Sequence, residues 1–70
     1  MTADEMFEEL GYFKREEDDE IYFVNGELDC IIEFDITRQF VAIGDEHYRQ
    51  QYFSLKELKA INKKVEELGW

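Results

Sequence analysis

The sequence predicts an α+β domain: a helix, a three- to four-stranded antiparallel meander, and a C-terminal helix packed on one sheet face. Three observations point there. Capping-box signatures, Thr2-Ala3-Asp4-Glu5 and Ser54-Leu55-Lys56-Glu57, open helical patterns near both ends of the chain. Between them the spacing of apolar residues changes from three or four to two. Asn25-Gly26 then interrupts that alternation in the way a hairpin turn does. Seventy residues suffice for one small domain, so residues 1–70 read as a single unit.

The first helix is expected over about residues 3–10. Met6, Phe7 and Leu10 share one face, and Gly11 supplies the left-handed residue that ends it. Two turns are marginal in water, so this face has to dock on something. Tyr12 to Glu16 is a candidate edge strand, followed by an acidic turn at Asp18-Asp19. Next, Ile21 to Val24 and Glu27 to Asp35 flank Asn25-Gly26. A two-residue type I′ turn there pairs Val24 with Glu27, Phe23 with Leu28 and Ile21 with Cys30, and requires positive φ at Gly26. That register collects Ile21, Phe23, Leu28, Cys30, Ile32 and Phe34 on a core face. The opposite face carries Glu20, Tyr22, Val24, Glu27, Asp29, Ile31, Glu33 and Asp35. A further strand at about 39–44 follows a turn near Ile36-Thr37-Arg38. A two-residue turn sends Val41 and Ile43 inward; a three-residue turn sends Phe40 and Ala42 inward instead. In the last helix, Leu55, Leu58, Ile61, Val65 and Leu68 trace the expected apolar stripe, with Phe53 and Leu58 as a hydrophobic staple. Gly69 stops it, and Trp70 is expected to fold back toward Val65.

Composition narrows the function classes. Eighteen acidic against eight basic residues give a net charge of −10, which repels phosphate backbones and anionic lipid, so no direct nucleic-acid or membrane partner is expected. No apolar run approaches the roughly 20 residues of a bilayer span, and Met1 to Glu5 lacks the basic start of a signal peptide. A single cysteine excludes an internal disulfide and a multi-thiolate zinc site. These features favour a cytoplasmic domain without cofactors.

Individual residues give little chemistry. The run Glu16 to Glu20 is contiguous and glycine-free, unlike a Ca²⁺ loop with alternating ligands, so it reads as a solvated turn. His47 has Asp45 and Glu46 beside it but no nucleophile at a supporting spacing. Cys30 falls on the predicted core face between Asp29 and Ile31, which makes it a buried, inert thiol. Glu33 and Asp35, roughly 7 Å apart along a strand, have the spacing of a glycosidase pair but no cleft around them.

Charge distribution is more informative. Residues 1–20 carry net −7, residues 21–47 net −5 and residues 48–70 net +2. Lys56, Lys59 and Lys63, with Lys64 adjacent, lie along one side of the last helix, while the strand face from Glu20 to Asp35 holds no lysine.

The ending Ser54-Leu55-Lys56-Glu57-Leu58-Lys59-Ala60-Ile61-Asn62-Lys63-Lys64-Val65-Glu66-Glu67-Leu68-Gly69-Trp70 resembles small uncharacterised proteins of phages and prophages in Gram-positive bacteria. The early Glu8-Glu9-Leu10-Gly11-Tyr12, followed by a charged strand meander, is similar too. The resemblance covers the overall layout. It implies the host cytoplasm and action by binding, and carries no catalytic residue onto this chain. The expected function is therefore a non-catalytic binding protein that meets a protein partner with a basic surface. Its contact residues are expected to be Glu20, Tyr22, Glu27, Asp29, Ile31, Glu33 and Asp35, and its sharper form is a DNA-mimic inhibitor. The alternative is a homo-oligomer or assembly accessory centred on Tyr22, Val24 and Ile31. A small hydrolase is the remote alternative.

Overall fold

A computed structural model describes residues 1–45 and 54–70. Its elements run α1 (Ala3–Glu9), β1 (Phe13–Glu17), β2 (Glu20–Asn25), β3 (Cys30–Asp35), β4 (Phe40–Gly44) and α2 (Leu55–Glu67). The α+β expectation holds, with four strands in the order β1-β2-β3-β4, each antiparallel to the next. No helix among the described residues is long and apolar enough to cross a membrane. Phe53 of the expected staple, and His47 with Glu46, lie outside the described residues.

Local chemistry at the helix ends fixes both helices. Thr2 and Ser54 each accept from the amide three residues on, while Glu5 and Glu57 reach back to the capping residue's own amide, completing two capping boxes. Each helix closes in a Schellman motif. Around Gly11 (φ 91°), the Tyr12 amide donates to the Phe7 carbonyl and the Gly11 amide to Glu8. Around Gly69 (φ 76°), the Trp70 amide donates to Val65 and the Gly69 amide to Glu66. Trp70 thus folds back as expected, and its ring lies 6.3 Å from that of Phe34.

The helices run antiparallel on one face of the sheet, and each secures an end of the other. Glu67 accepts from the Ala3 amide at the start of α1 (2.9 Å), a favourable position for a carboxylate. At the far end, Glu57 accepts from the hydroxyl of Tyr12 just after α1 (2.6 Å). Beneath them Phe7 stacks on Phe23 at 4.0 Å between ring centroids, with Phe34 edge-on to both. Cys30, Ile32, Ala60 and Ile61 complete the buried cluster.

The apolar stripe of α2 holds in its second half, where Ile61 is buried and Val65 and Leu68 pack against the core, and fails in its first. Leu55 and Leu58 are exposed, while the buried residues are Glu57, Ala60, Ile61 and Lys64. At 100° per residue the inward face is rotated by roughly a quarter turn. Polar anchors cause the rotation: Glu57 is held by Tyr12, and Lys64 (7% exposed) reaches Asp4 at 3.1 Å with its ammonium 5.8 Å from the Phe23 ring centre. Lys64 is therefore a core residue rather than part of a surface stripe.

The hairpin register also needs correcting. Asn25 pairs with Cys30, Val24 with Ile31, Phe23 with Ile32 and Ile21 with Phe34, so residues 26–29 form a four-residue loop. Asn25 is the buried last residue of β2. Its Oδ1 accepts from the Glu27 and Leu28 amides (3.1 Å each), and its Nδ2 donates to the Leu10 carbonyl (3.1 Å). A type I′ turn would place Asn25 inside the loop and forfeit the bond to Leu10. The left-handed residue is Asp29 (φ 50°) rather than Gly26, and Leu28 leaves the core for the loop, 55% exposed. The pairing has slipped by four residues, an even number, so every remaining side chain keeps its expected face. A Cβ on Gly26 meets nothing within 4 Å. Gly26→Val should consequently shift stability by no more than about 0.5 kcal/mol, measured by urea denaturation, as for a surface position.

The β3–β4 connection repeats this design ten residues later. Asp35 pairs with Phe40, Oδ1 of Asp35 accepts from the Arg38 amide (2.8 Å), and Gln39 takes the left-handed position (φ 58°). A four-residue loop has the parity of the two-residue alternative, so Val41 and Ile43 turn inward. β1, entirely exposed, is the expected edge strand and reaches β2 through the two-residue turn Asp18-Asp19.

Candidate functional site

The sheet face away from the helices is ordered by register into three rows. Phe13, Val24, Ile31 and Gly44 form an apolar row; Arg15, Tyr22, Glu33 and Ala42 form the middle row; Glu17, Glu20, Asp35 and Phe40 form the third. Strand alternation splits the acidic run of residues 16–20. Glu16 turns to the helix side, where Lys14 bridges it (2.7 Å) and Asp4 (2.8 Å), while Glu17 and Glu20 take the open side.

Of the expected contact residues, Glu20, Tyr22, Ile31, Glu33 and Asp35 do come together on this face. Glu27 and Asp29 do not. The four-residue slip places both in the β2–β3 loop, beyond the apolar row. Asp35 is on the face by register but only 7% exposed, and it serves its loop by accepting the Arg38 amide.

Carboxylate oxygens of Glu20, Glu33 and Asp35 lie within 4.8 Å of one another, much closer than the strand spacing suggests. Tyr22 donates a hydrogen bond to Glu20. Partial burial pushes the Glu20 carboxyl above its ordinary pKa, and the neighbouring charges of Glu33, Asp19, Asp35 and Glu17 push it further the same way. Among the described residues no cation pairs with these three carboxylates. As cation ligands they supply three groups where Ca²⁺ takes six to eight oxygens, and one oxygen of Asp35 already holds a backbone amide.

A second polar cluster lies within the core, and the sequence points only to its Ser54-Glu57 half. Glu57 Oε1 accepts from the Ser54 amide (3.1 Å) and hydroxyl (3.0 Å), and Oε2 accepts from Tyr12. Burial works to raise the Glu57 carboxyl, but the hydrogen bonds from Tyr12 and Ser54 prevail and hold it below the ordinary carboxylate range. Tyr12 is pushed far up by burial and by its Cys30 and Glu57 neighbours, so it stays a neutral donor. Burial likewise pushes the Cys30 thiol up, which disfavours the nucleophilic thiolate. Only the Ser54-Glu57 half of this cluster has a local signal; the Tyr12 link spans 45 residues.

Comparison with known proteins finds no matching family model, no matching curated protein and no matching solved structure.

Proposed function

We propose that this protein is a non-catalytic binding module that presents its open sheet face to a protein with a basic surface. The observation that carries the reading is the Glu20, Glu33 and Asp35 cluster, with Glu17 beside it and no pairing cation among the described residues. Like charges opposite and diagonal across strands are destabilising, so the free protein holds a repulsion that a basic partner relieves. Val24, Ile31 and Tyr22, half-buried next to these acids, supply an apolar centre of the kind that anchors an interface. Charge steers the encounter, which makes association fast and salt-sensitive. A protein that grips nucleic acid has the basic groove such a face fits. Occupying that groove is inhibition by mimicry, in keeping with the accessory role that the phage resemblance implies.

The test is capture of partners from a bacterial lysate on the immobilised protein, compared with Glu20→Lys/Glu33→Lys and with Lys56→Gln/Lys59→Gln. Reversing the sheet-face acids should weaken capture at least about 100-fold, as for like-charge juxtaposition at an interface, while the lysine set leaves it nearly unchanged. Retention by the acid-reversed protein, with loss in the lysine variant, would transfer the function to the helices. A further signature separates this role from simple solubility. Glu20→Gln should raise the stability of the free protein, because it removes the repulsion, and still weaken capture.

A further inference from the structure

We infer that the outer face of the helix layer is a contact between two copies of this chain, independent of the sheet face. A groove of about 250 Å³ runs between the helices, lined by Met1, Met6, Leu10 and Glu9 on the α1 side and by Lys56 and Lys59 on the α2 side. Its two rims are opposite in sign. Glu5, Glu8 and Glu9 stand exposed along α1, and Lys56 and Lys59 stand exposed along α2.

Three of these charges, Glu8, Glu9 and Lys56, are also placed against the helices that carry them. Glu8 and Glu9 occupy the last turn of α1, where the macrodipole favours cations and where α1 has no basic residue. Lys56 occupies the first turn of α2, where anions are favoured. None of these five side chains forms an ion pair with a described residue. For Glu8, Glu9 and Lys56 the opposite sign would suit the helix dipoles of one folded chain better, and a partner that meets both rims together offsets that cost.

A second copy does this. Rotation by 180° about an axis parallel to the helices lays α1 of one copy over α2 of the other, acid rim on basic rim, at both symmetry-related positions. Within one chain the helices are antiparallel and Glu9 lies level with Lys56 and Lys59 across the groove, so the overlaid rims match in level as well as in sign. The two apolar floors then close on each other as the centre of a four-helix layer. Rotation about the perpendicular in-plane axis would stack α1 on α1 and α2 on α2, like on like. Charge therefore selects one closed, isologous arrangement, and both open sheet faces point outward from it. In a sheet-to-sheet dimer centred on Tyr22, Val24 and Ile31, a rotation axis along the strands lays the row of Glu17, Glu20 and Asp35 on its own copy, whereas an axis across the strands lays it on the apolar row.

Two charge-reversed variants test this by sedimentation equilibrium. Lys56→Glu/Lys59→Glu makes both rims acidic; Glu8→Lys/Glu9→Lys makes both rims basic. Each set aligns its new charges with the helix dipoles, so folding is retained, which far-UV circular dichroism checks. If either set unfolds the chain, the single substitutions Lys59→Glu and Glu9→Lys serve instead. The unaltered protein should dimerise reversibly, each variant alone should self-associate at least about tenfold more weakly, and an equimolar mixture should recover dimers. Both variants stay net negative, so pairing on mixing reads the rims rather than bulk attraction. An unaltered protein that is monomeric at every concentration, a mixture that stays monomeric, or a dimer dissolved by Glu20→Lys/Glu33→Lys instead would each overturn the inference.

Discussion

Phe23→Ala should destabilise the protein by about 3–5 kcal/mol. The Phe23 side chain lies between the stacked ring of Phe7 and the edge-on ring of Phe34, with the Lys64 ammonium over its face. Truncating a buried phenylalanine costs about 3–5 kcal/mol in lost transfer energy and unfilled cavity. A 70-residue domain has a total stability of only about 4–10 kcal/mol. One truncation therefore removes between about a third and all of the reserve, and it also takes the ring from beneath the Lys64 ammonium. Urea titration followed by Trp70 fluorescence reads the loss, because that indole sits against Phe34 in the same core. A loss below about 1 kcal/mol would place the residue outside a packed core.

Glu57→Ala ranks second, since one carboxylate both caps α2 and ties it to the end of α1. It completes the capping box of α2 as the partner of the N-cap Ser54; losing an N-cap residue itself costs about 0.5–2 kcal/mol, which is the upper bound for this half of the box. It also accepts from the buried hydroxyl of Tyr12, and a buried donor left without its acceptor costs about 1–3 kcal/mol more. The expected total is roughly 2–4 kcal/mol, non-additive with Tyr12→Phe because both substitutions break the same bond. A thermodynamic cycle over the two substitutions isolates that coupling. The pH dependence follows from the lowered carboxyl of Glu57. A carboxylate held below its unfolded pKa, about 4.3 for glutamate, contributes stability that is complete above that value. The contribution fades as pH falls through the lower folded value. Asp4 adds to the same acid limb; burial opposes its ionisation, but the Lys14 and Lys64 hydrogen bonds hold its carboxyl below the ordinary range. Glu20 acts in the opposite direction. Its raised carboxyl means that protonation relieves repulsion, so its contribution grows as pH falls through the folded value. Glu57→Gln should flatten the acid limb, and urea midpoints taken between pH 7 and pH 3 test the slope.

Residues that decide their structure within one turn of chain were legible in the sequence. Thr2 with Glu5, Ser54 with Glu57, and the glycines at 11 and 69 act through bonds spanning three to five residues, and all four behave as read. Alternation along β2 and β3 was legible for the same reason. The misreadings fall where a distant partner intervenes. Asn25-Gly26 has the composition of a type I′ turn, yet Asn25 is held in its strand by the Leu10 carbonyl, fifteen residues away. The stripe from Leu55 to Leu68 is a sound amphipathic pattern, yet Tyr12 and Asp4 turn Glu57 and Lys64 inward and rotate the helix. At the candidate site, parity placed Glu20, Tyr22, Ile31, Glu33 and Asp35 together. The length of one loop, which has no period to reveal it, removed Glu27 and Asp29.

The buried thiol of Cys30 gives the molecule a gauge of its own opening. The sulfur is enclosed by the core and its proton is held more tightly than that of an exposed cysteine, so an alkylating reagent reaches it only when the structure around it opens. With one cysteine in the chain, every modified molecule records one such event. The labelling rate then measures the population of open states directly, without denaturant. Mass spectrometry on unperturbed protein can thus rank core substitutions by how often each lets the reagent in, including variants too unstable to give a complete unfolding curve.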